Sequence, residues 1–148
     1  MSKEEIERLD DRGMGAWDGH DADAFADIFA DGGAVNDVAS PEPITGRDAI
    51  RAYAQAWFTA FPDMSTRTKN RVVSEDQVAT EVEFTGTNSG PMQMASGAPA
   101  MPATGKRVTG QGVYFLRVRN GKVVEVHSYP NVAGLMMQLG LIPPPPGG

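Results

Sequence analysis

Asp37, in the run Ala34–Ala39 that reads AVNDVA, is the residue of this chain best placed to do chemistry. Alternate side chains of a strand share a face, so Asp37 lies with Val35 and Ala39, opposite Ala34, Asn36 and Val38. If those apolar neighbours turn toward a core, the carboxylate does too. A carboxylate taken out of water needs a partner or a purpose, and one purpose is removing protons near neutral pH. The plainer alternative is an aspartate that accepts amides from the turn at Ser40, or one that faces solvent.

Three further residues carry groups that such a base would need. Tyr114 lies in VTGQGVYFLRV, where Val108, Gly110, Gly112, Tyr114, Leu116 and Val118 share a face. The glycines leave space beside the ring for a ligand, and the hydroxyl could donate to a developing oxyanion; a core tyrosine bonded to a backbone carbonyl has the same pattern. His127 shares a face with Val123, Glu125 and Tyr129, opposite Val124, Val126 and Ser128. Strand parity therefore decides whether it is an acid/base group in a pocket or an outward residue at a subunit contact. Asn131 caps a helix and stands where the last strand ends, within reach of a pocket. Phe25, Phe29, Tyr53, Trp57 and Phe58 read as core aromatics that would also line an apolar cavity, and Met92 is counted with them as a substrate contact.

The elements that position these groups are legible from periodicity. Ser2 and Glu5 fit a capping box, and Ile6, Leu9, Gly13 and Trp17 give a helix from about Lys3 to Trp17. Asp21 caps a second helix with Ala24, Phe25, Ile28 and Phe29 on one face, ending before Gly32-Gly33. After the strand carrying Asp37 and the rigid Ser40-Pro41-Glu42-Pro43 turn, Thr45 can cap a third helix. Its stripe of Ile50, Tyr53, Ala54, Trp57, Phe58 and Phe61 is the clearest in the chain. Pro62 stops it. Period-two patterns then predict strands over Met64–Ser74, Val78–Thr87, Arg107–Arg119 and Lys122–Tyr129, with Asn120-Gly121 as a type I′ hairpin turn. The Gly-, Pro-, Ser- and Met-rich segment Asn88–Gly105 is too long for an ordinary hairpin loop and reads as a lid or a partner-contacting flap. Val132–Leu139 is a short last helix. Residues 1–142 form one domain in this reading, with 143–148 an extended, poorly ordered tail. The expected class is α+β: helices on one face of a curved sheet, with a cavity between them.

Composition limits the partners. The 148 residues hold thirteen Lys plus Arg against nineteen Asp plus Glu, a net charge of −6, which argues against nucleic acid or an anionic membrane. Arg67, Lys69 and Arg71 alternate on one predicted strand face and read as a solvated row, or else as an anion site or subunit contact. The absence of cysteine excludes thiol chemistry, and two distant histidines, His20 and His127, give no zinc motif, so neither metal nor cofactor is expected. The charged start MSKEEIERLDD has no apolar signal region, and no apolar run approaches the roughly 20 residues a span requires. A cytoplasmic location is the expectation.

The segments DADAFADIFADGGAV, PITGRDAIRAY, AFPDM, TGTNSGPM, PATGKRV, RVRNGKVVEVHSYPN and AGLMMQLGL, in this order from Asp21 to Leu141, resemble the SnoaL-like polyketide cyclase family. That family lies within the superfamily of nuclear transport factor two, ketosteroid isomerase and scytalone dehydratase. The resemblance implies a cone of curved antiparallel sheet wrapped by three N-terminal helices and a short C-terminal one, enclosing an apolar pocket, as a homodimer. In ketosteroid isomerases the catalytic base occupies the strand position that Asp37 fills, and an oxyanion-side acid corresponds by spacing to Tyr114. Their helix-one tyrosine falls near Gly13, which cannot serve. SnoaL-like cyclases carry an acid/base aspartate where this chain has Tyr129-Pro130-Asn131, and an amide cannot transfer protons as a carboxylate does. The expected function is a cofactor-free enzyme of isomerase or cyclase type acting on a small hydrophobic carbonyl compound. Asp37 would take the proton, Tyr114 would stabilise the enolate, and Asn131 or His127 would orient the substrate. The alternative is a non-catalytic pocket that binds an apolar ligand or supports an assembly.

Overall fold

Ser2 and Glu5 close a reciprocal capping box at the start of α1 (Lys3–Asp18), with the Glu5 amide donating to Ser2 Oγ at 3.1 Å. The computed structural model describes residues 1–93 and 98–147. Asp21 caps α2 (Ala22–Asp27) by accepting from the Ala24 amide at 3.0 Å. The second helix is shorter than its apolar periodicity predicts. Phe29 opens β1 (Phe29–Asp37) instead, pairing with Val123, and the register slips before Ala34. Gly32, at φ +73°, sits inside that irregularity, where a side chain would be strained.

Thr45 does not cap the third helix. It lies in a two-residue strand, β2 (Ile44–Thr45), paired with Ala34, and Gly46 at φ +91° is the N-cap of α3 (Arg47–Ala60) without any side-chain hydrogen bond. The pairing with β1 draws Thr45 away, and only glycine turns at that φ without cost. The remaining strands are β3 (Ser65–Val73), β4 (Gln77–Thr87), β5 (Arg107–Arg119) and β6 (Lys122–Pro130), followed by α4 (Val132–Gln138). Asn120 and Gly121, at φ +52° and +79°, make the tight turn between β5 and β6 that their order predicts.

The strands form one sheet in the order β2-β1-β6-β5-β4-β3, with helices packed against it. This is the α+β cone expected from the sequence, with one refinement: β1 runs parallel to β6, so the sheet is mixed. Ile6, Leu9, Ile28, Val35, Ile50, Val78, Leu116 and Val123 build the main core between α1, α2, α3 and the sheet. Burying one such branched side chain is worth about 1.5–3 kcal/mol. No helix among the described residues is long and apolar enough to cross a membrane.

Two β-bulges reset which residues face inward. In β3 the register slips between Thr68 and Asn70, so Arg71 pairs opposite Thr80 and turns toward the interior, while Arg67 stays exposed beside Glu83. The alternating basic row read from the sequence is therefore not one face. In β6 a slip opposite Arg117/Val118 lets both Val123 and Val126 be buried although they are three residues apart. Beyond it Val126, Ser128 and Pro130 point inward, and Glu125 and His127 point out.

The segment after β4 is pinned at its base by buried Asn88. Its amide donates to the carbonyls of Ala60 (3.1 Å) and Gly90 (3.0 Å), and its oxygen accepts from the Thr104 amide and hydroxyl, each at 2.9 Å. Met92 and Met101 pair in an isolated bridge; residues 94–97 of the segment expected to be a lid or flap lie outside the described residues. Gly90 is required here, because a Cβ would lie 1.9 Å from the Thr59 carbonyl oxygen, backbone that cannot yield. Gly90→Ala should cost about 3 kcal/mol or more and lower Tm by on the order of 10 °C. Gly15→Ala, on an open face of α1 with nothing nearby, should raise stability by about 0.5–1 kcal/mol. Thermal unfolding of the two variants checks the contrast in sign.

Candidate active site

Four strand pairings place five inward side chains in one row across the sheet. Arg71 pairs with Thr80, Thr80 with Tyr114, Tyr114 with Ser128, and Ser128 with Asp37. Neighbouring strands stand about 4.8 Å apart, so the row crosses five strands as a polar stripe through an interior lined mainly by aliphatic and aromatic residues. Two helices lay acid or phenol groups onto it. Asp10 comes from α1, and Tyr53 from α3.

At one end Tyr53 Oη donates to Asp37 Oδ2 at 2.6 Å, and the Ala39 amide donates to Asp37 Oδ1 at 2.8 Å. Asp37 is 7% exposed, so both oxygens are held and each keeps lone-pair capacity for another proton. Burial, with the adjacent Asp37 carboxylate, raises the Tyr53 hydroxyl well above its ordinary value of 10.0, so it remains a donor. The turn-capping role and the buried-carboxylate role, alternatives in the sequence, coexist in this one side chain.

Further along the row, Tyr114 Oη donates to Asp10 Oδ1. Asp10 Oδ2 accepts from Thr80 Oγ1 at 3.2 Å and from Arg71 Nη2 at 2.9 Å, and Arg71 Nη2 also reaches Asp11 Oδ1 at 2.7 Å. Asp10 is 1% exposed, and burial raises its carboxyl above the ordinary 3.8 against the opposing pull of Tyr114, Arg71 and Thr80. Burial likewise raises the Tyr114 hydroxyl, with Asp10 adding to the effect. While Asp10 is ionised, Tyr114 spends its proton on Asp10 and turns lone pairs to the cavity. Protonation of Asp10 would release the phenol proton toward a ligand.

The raised Asp10 value has a consequence for stability with a definite sign. A carboxyl that titrates higher folded than unfolded contributes stability that is complete below pH 3.8 and is lost as pH rises through the folded-state value. Asp10→Asn has no such loss, and its altered contact with Arg71 is a pH-independent offset. The Tm of Asp10→Asn relative to the parent should therefore climb as pH is raised from about 4 to about 7. A constant difference across that range would mean that the Asp10 carboxyl is not penalised by burial.

A cavity of about 140 Å³ opens over this row, and Asp10, Asp37, Tyr53, Tyr114 and Ser128 all line it. Its other walls are Trp17, Phe25, Phe29, Trp57, Met64, Phe84 and neighbouring aliphatic residues. Trp17 meets Phe25 edge-on with centroids 5.1 Å apart, and Trp57 meets Phe84 at 6.0 Å, geometries that lock the rings. Gly13 also lines the cavity; a Cβ there would meet Ile28 Cδ1 at 2.9 Å, so glycine lets α1 approach and leaves the space open.

Of the residues singled out from the sequence, the structure gathers Asp37, Tyr114, Phe25, Phe29, Tyr53 and Trp57 around this cavity. Four fall elsewhere. His127 lies on the outer sheet face, hydrogen-bonded to Glu125 and paired opposite Phe115, because the bulge in β6 sets its parity outward. Asn131 Oδ1 accepts from the Gly134 amide at 2.9 Å as the cap of α4, facing a separate surface groove with Lys69, Glu81 and Tyr129. Phe58 lies behind the wall, stacked on His20 at 4.8 Å and edge-on to Trp17 at 5.0 Å. Met92 is buried with Phe61, Val108 and Leu135 in a second core.

Pattern reading missed Asp10 and Ser128, which line the cavity, and Thr80 and Arg71, which bond to Asp10 behind it. Asp10 had a signal: it falls on the same helical stripe as Ile6, Leu9, Gly13 and Trp17, the lone acid on an apolar face. Among the described residues no group of three or more acidic or histidine side chains could hold a metal ion.

Comparison with known proteins agrees with this architecture. No curated protein matches the chain. Among solved structures it is similar to AclR of Streptomyces galilaeus, a proposed hydroxylase, at 25% identity and a TM-score of 0.82, covering 99% of this chain and 87% of that one. A proposed SnoaL-like polyketide cyclase from Jannaschia sp. CCS1 matches at 20% identity and TM-score 0.82, over 96% and 95% of the two chains. IdmH, a proposed polyketide cyclase from Streptomyces antibioticus, matches at 22% and 0.74, over 91% and 98%. Likeness at the two lower identities speaks for the fold alone. The sequence model of the SnoaL-like polyketide cyclases matches residues 8–139, from within α1 to the end of α4, and the chain belongs to that family.

Proposed function

We propose that this protein is a cofactor-free acid/base enzyme of isomerase or cyclase type, acting on a small, largely apolar carbonyl compound. The observation that carries the reading is that Asp37 and Tyr114 line one cavity, two strands apart, each tied to a second acid or phenol. Asp37 takes a proton from the carbon next to the carbonyl: the C–H bond breaks, an O–H bond forms on the carboxylate, and the electron pair moves to the carbonyl oxygen. With Asp10 in its protonated form, favoured by its burial, Tyr114 is free to turn its hydroxyl proton to that developing charge. The same enolate can be reprotonated elsewhere, which is isomerisation, or attack a second carbonyl within the substrate, which is cyclisation.

The test needs no knowledge of the natural substrate. Apolar ketones incubated with the protein in heavy water should gain deuterium at the α-carbon, read by proton NMR, faster than in buffer. Absence of catalysed exchange across mono- and bicyclic ketones that bind would sink the reading.

A non-catalytic binder is the second reading, and one observation favours it. Asn131, at the position of the cyclase aspartate, is an amide occupied in capping α4 and does not line the cavity. It predicts ligands that raise Tm without being changed. We also carry forward a homodimer through the uncovered outer sheet face, where Phe115 and Tyr129 stand exposed in edge-on contact; sedimentation equilibrium tests it.

A further inference from the structure

Ser128 occupies the centre of the polar row, between Asp37 on β1 and Tyr114 on β5. Every other member of the row is engaged: Asp37 by Tyr53, and Tyr114, Thr80 and Arg71 by Asp10. Ser128 lines the cavity, and its hydroxyl has no protein hydrogen-bond partner among the described residues. Its backbone is fixed, because its carbonyl accepts from the Val38 amide at 3.0 Å and both flanking strands pair with it. A rigid, unspent hydroxyl on the floor of an apolar chamber is a ready hydrogen-bond donor for something that enters.

The surroundings say what that something is. Asp37 brings a carboxylate to the row, and Arg71, the nearby cation among the described residues, is already divided between Asp10 and Asp11. An anionic head group would meet repulsion that the low-dielectric walls amplify. Serine is also the shortest polar side chain of the row, so a ligand oxygen must sink to the sheet between the taller Asp37–Tyr53 and Tyr114–Asp10 pairs. We propose that Ser128 is a specificity-determining residue that anchors an uncharged carbonyl oxygen, and that the cavity selects neutral ketones over carboxylic acids. This rests on the reading of the cavity as a carbonyl site but not on turnover.

Binding is measurable through Trp17 and Trp57, both in the cavity wall. The probes are 2-tetralone, the oxygen-free bicycle tetralin, and 2-naphthoate as the anion. The parent protein should bind 2-tetralone more tightly than either of the others. Ser128→Ala should weaken 2-tetralone by roughly 3- to 10-fold, the value of one hydrogen bond, while tetralin stays within about twofold. Ser128→Thr, which keeps the hydroxyl, should recover most of the difference. Equal weakening of ketone and hydrocarbon, an unchanged ketone affinity in Ser128→Ala, or 2-naphthoate binding as well as 2-tetralone would each overturn the proposal. Loss of α-deuteration without loss of ketone selectivity would refute the enzymatic reading and leave the anchor standing.

Discussion

Asp37→Asn should lower α-deuteration of a bound ketone by about 10²- to 10⁴-fold, the usual contribution of a positioned general base. The amide has nearly the same shape but cannot accept the substrate's proton. Its fold should survive. Tyr53 Oη and the Ala39 amide both donate to the carboxylate, so the amide, with one acceptor oxygen, leaves one of these contacts poorer. That costs about 1 kcal/mol, a few degrees in Tm. Ketone affinity should hold, since the anchor proposed for the carbonyl oxygen is Ser128 and not Asp37. Undiminished exchange in this variant would remove Asp37 as the base.

Tyr114→Phe is the second large effect, expected at about 10²- to 10³-fold in kcat, the range seen when one donor to a developing oxyanion is removed. Because that charge exists only in the transition state and intermediate, KM should move little. A raised KM with unchanged kcat would make Tyr114 a ground-state contact. The variant also strips Asp10 of a hydrogen bond that lowers its carboxyl, leaving Thr80 and Arg71, so Asp10 should titrate still higher than in the parent. Carbon-13 NMR of the Asp10 carboxyl across the acid range reads that shift independently of turnover. If the resonance does not move upward in pH, the Tyr114–Asp10 bond has no influence on the acid.

These effects depend on features of unequal legibility. Elements with strong local signals could be read from the chain: the Ser2/Glu5 capping box, the stripe from Ile50 through Phe58, the Asn120-Gly121 turn, and the face shared by Val108, Tyr114 and Val118. Their physics is local, since hydrophobic period and cap chemistry act within a few residues. That Val35 and Asp37 share a face followed from strand alternation; that the face turns inward did not.

What the chain alone could not disclose is how separate elements meet. Whether Arg71 and His127 point in or out was decided by bulges in β3 and β6, each adding one residue to a strand and reversing the parity that alternation predicts. Thr45 lost its capping role to a pairing with Ala34, made only once β1 lies beside it. Asp10 and Tyr114 stand 104 residues apart in sequence, and Asp37 and Ser128 meet through a parallel pairing; neither contact leaves a trace in local composition. Residue types and periods pointed to an α+β domain with a candidate buried acid, and the family resemblance implied the cone. Strand register, a property of chains closing over long distances, determined which acids, phenols and hydroxyls share its interior.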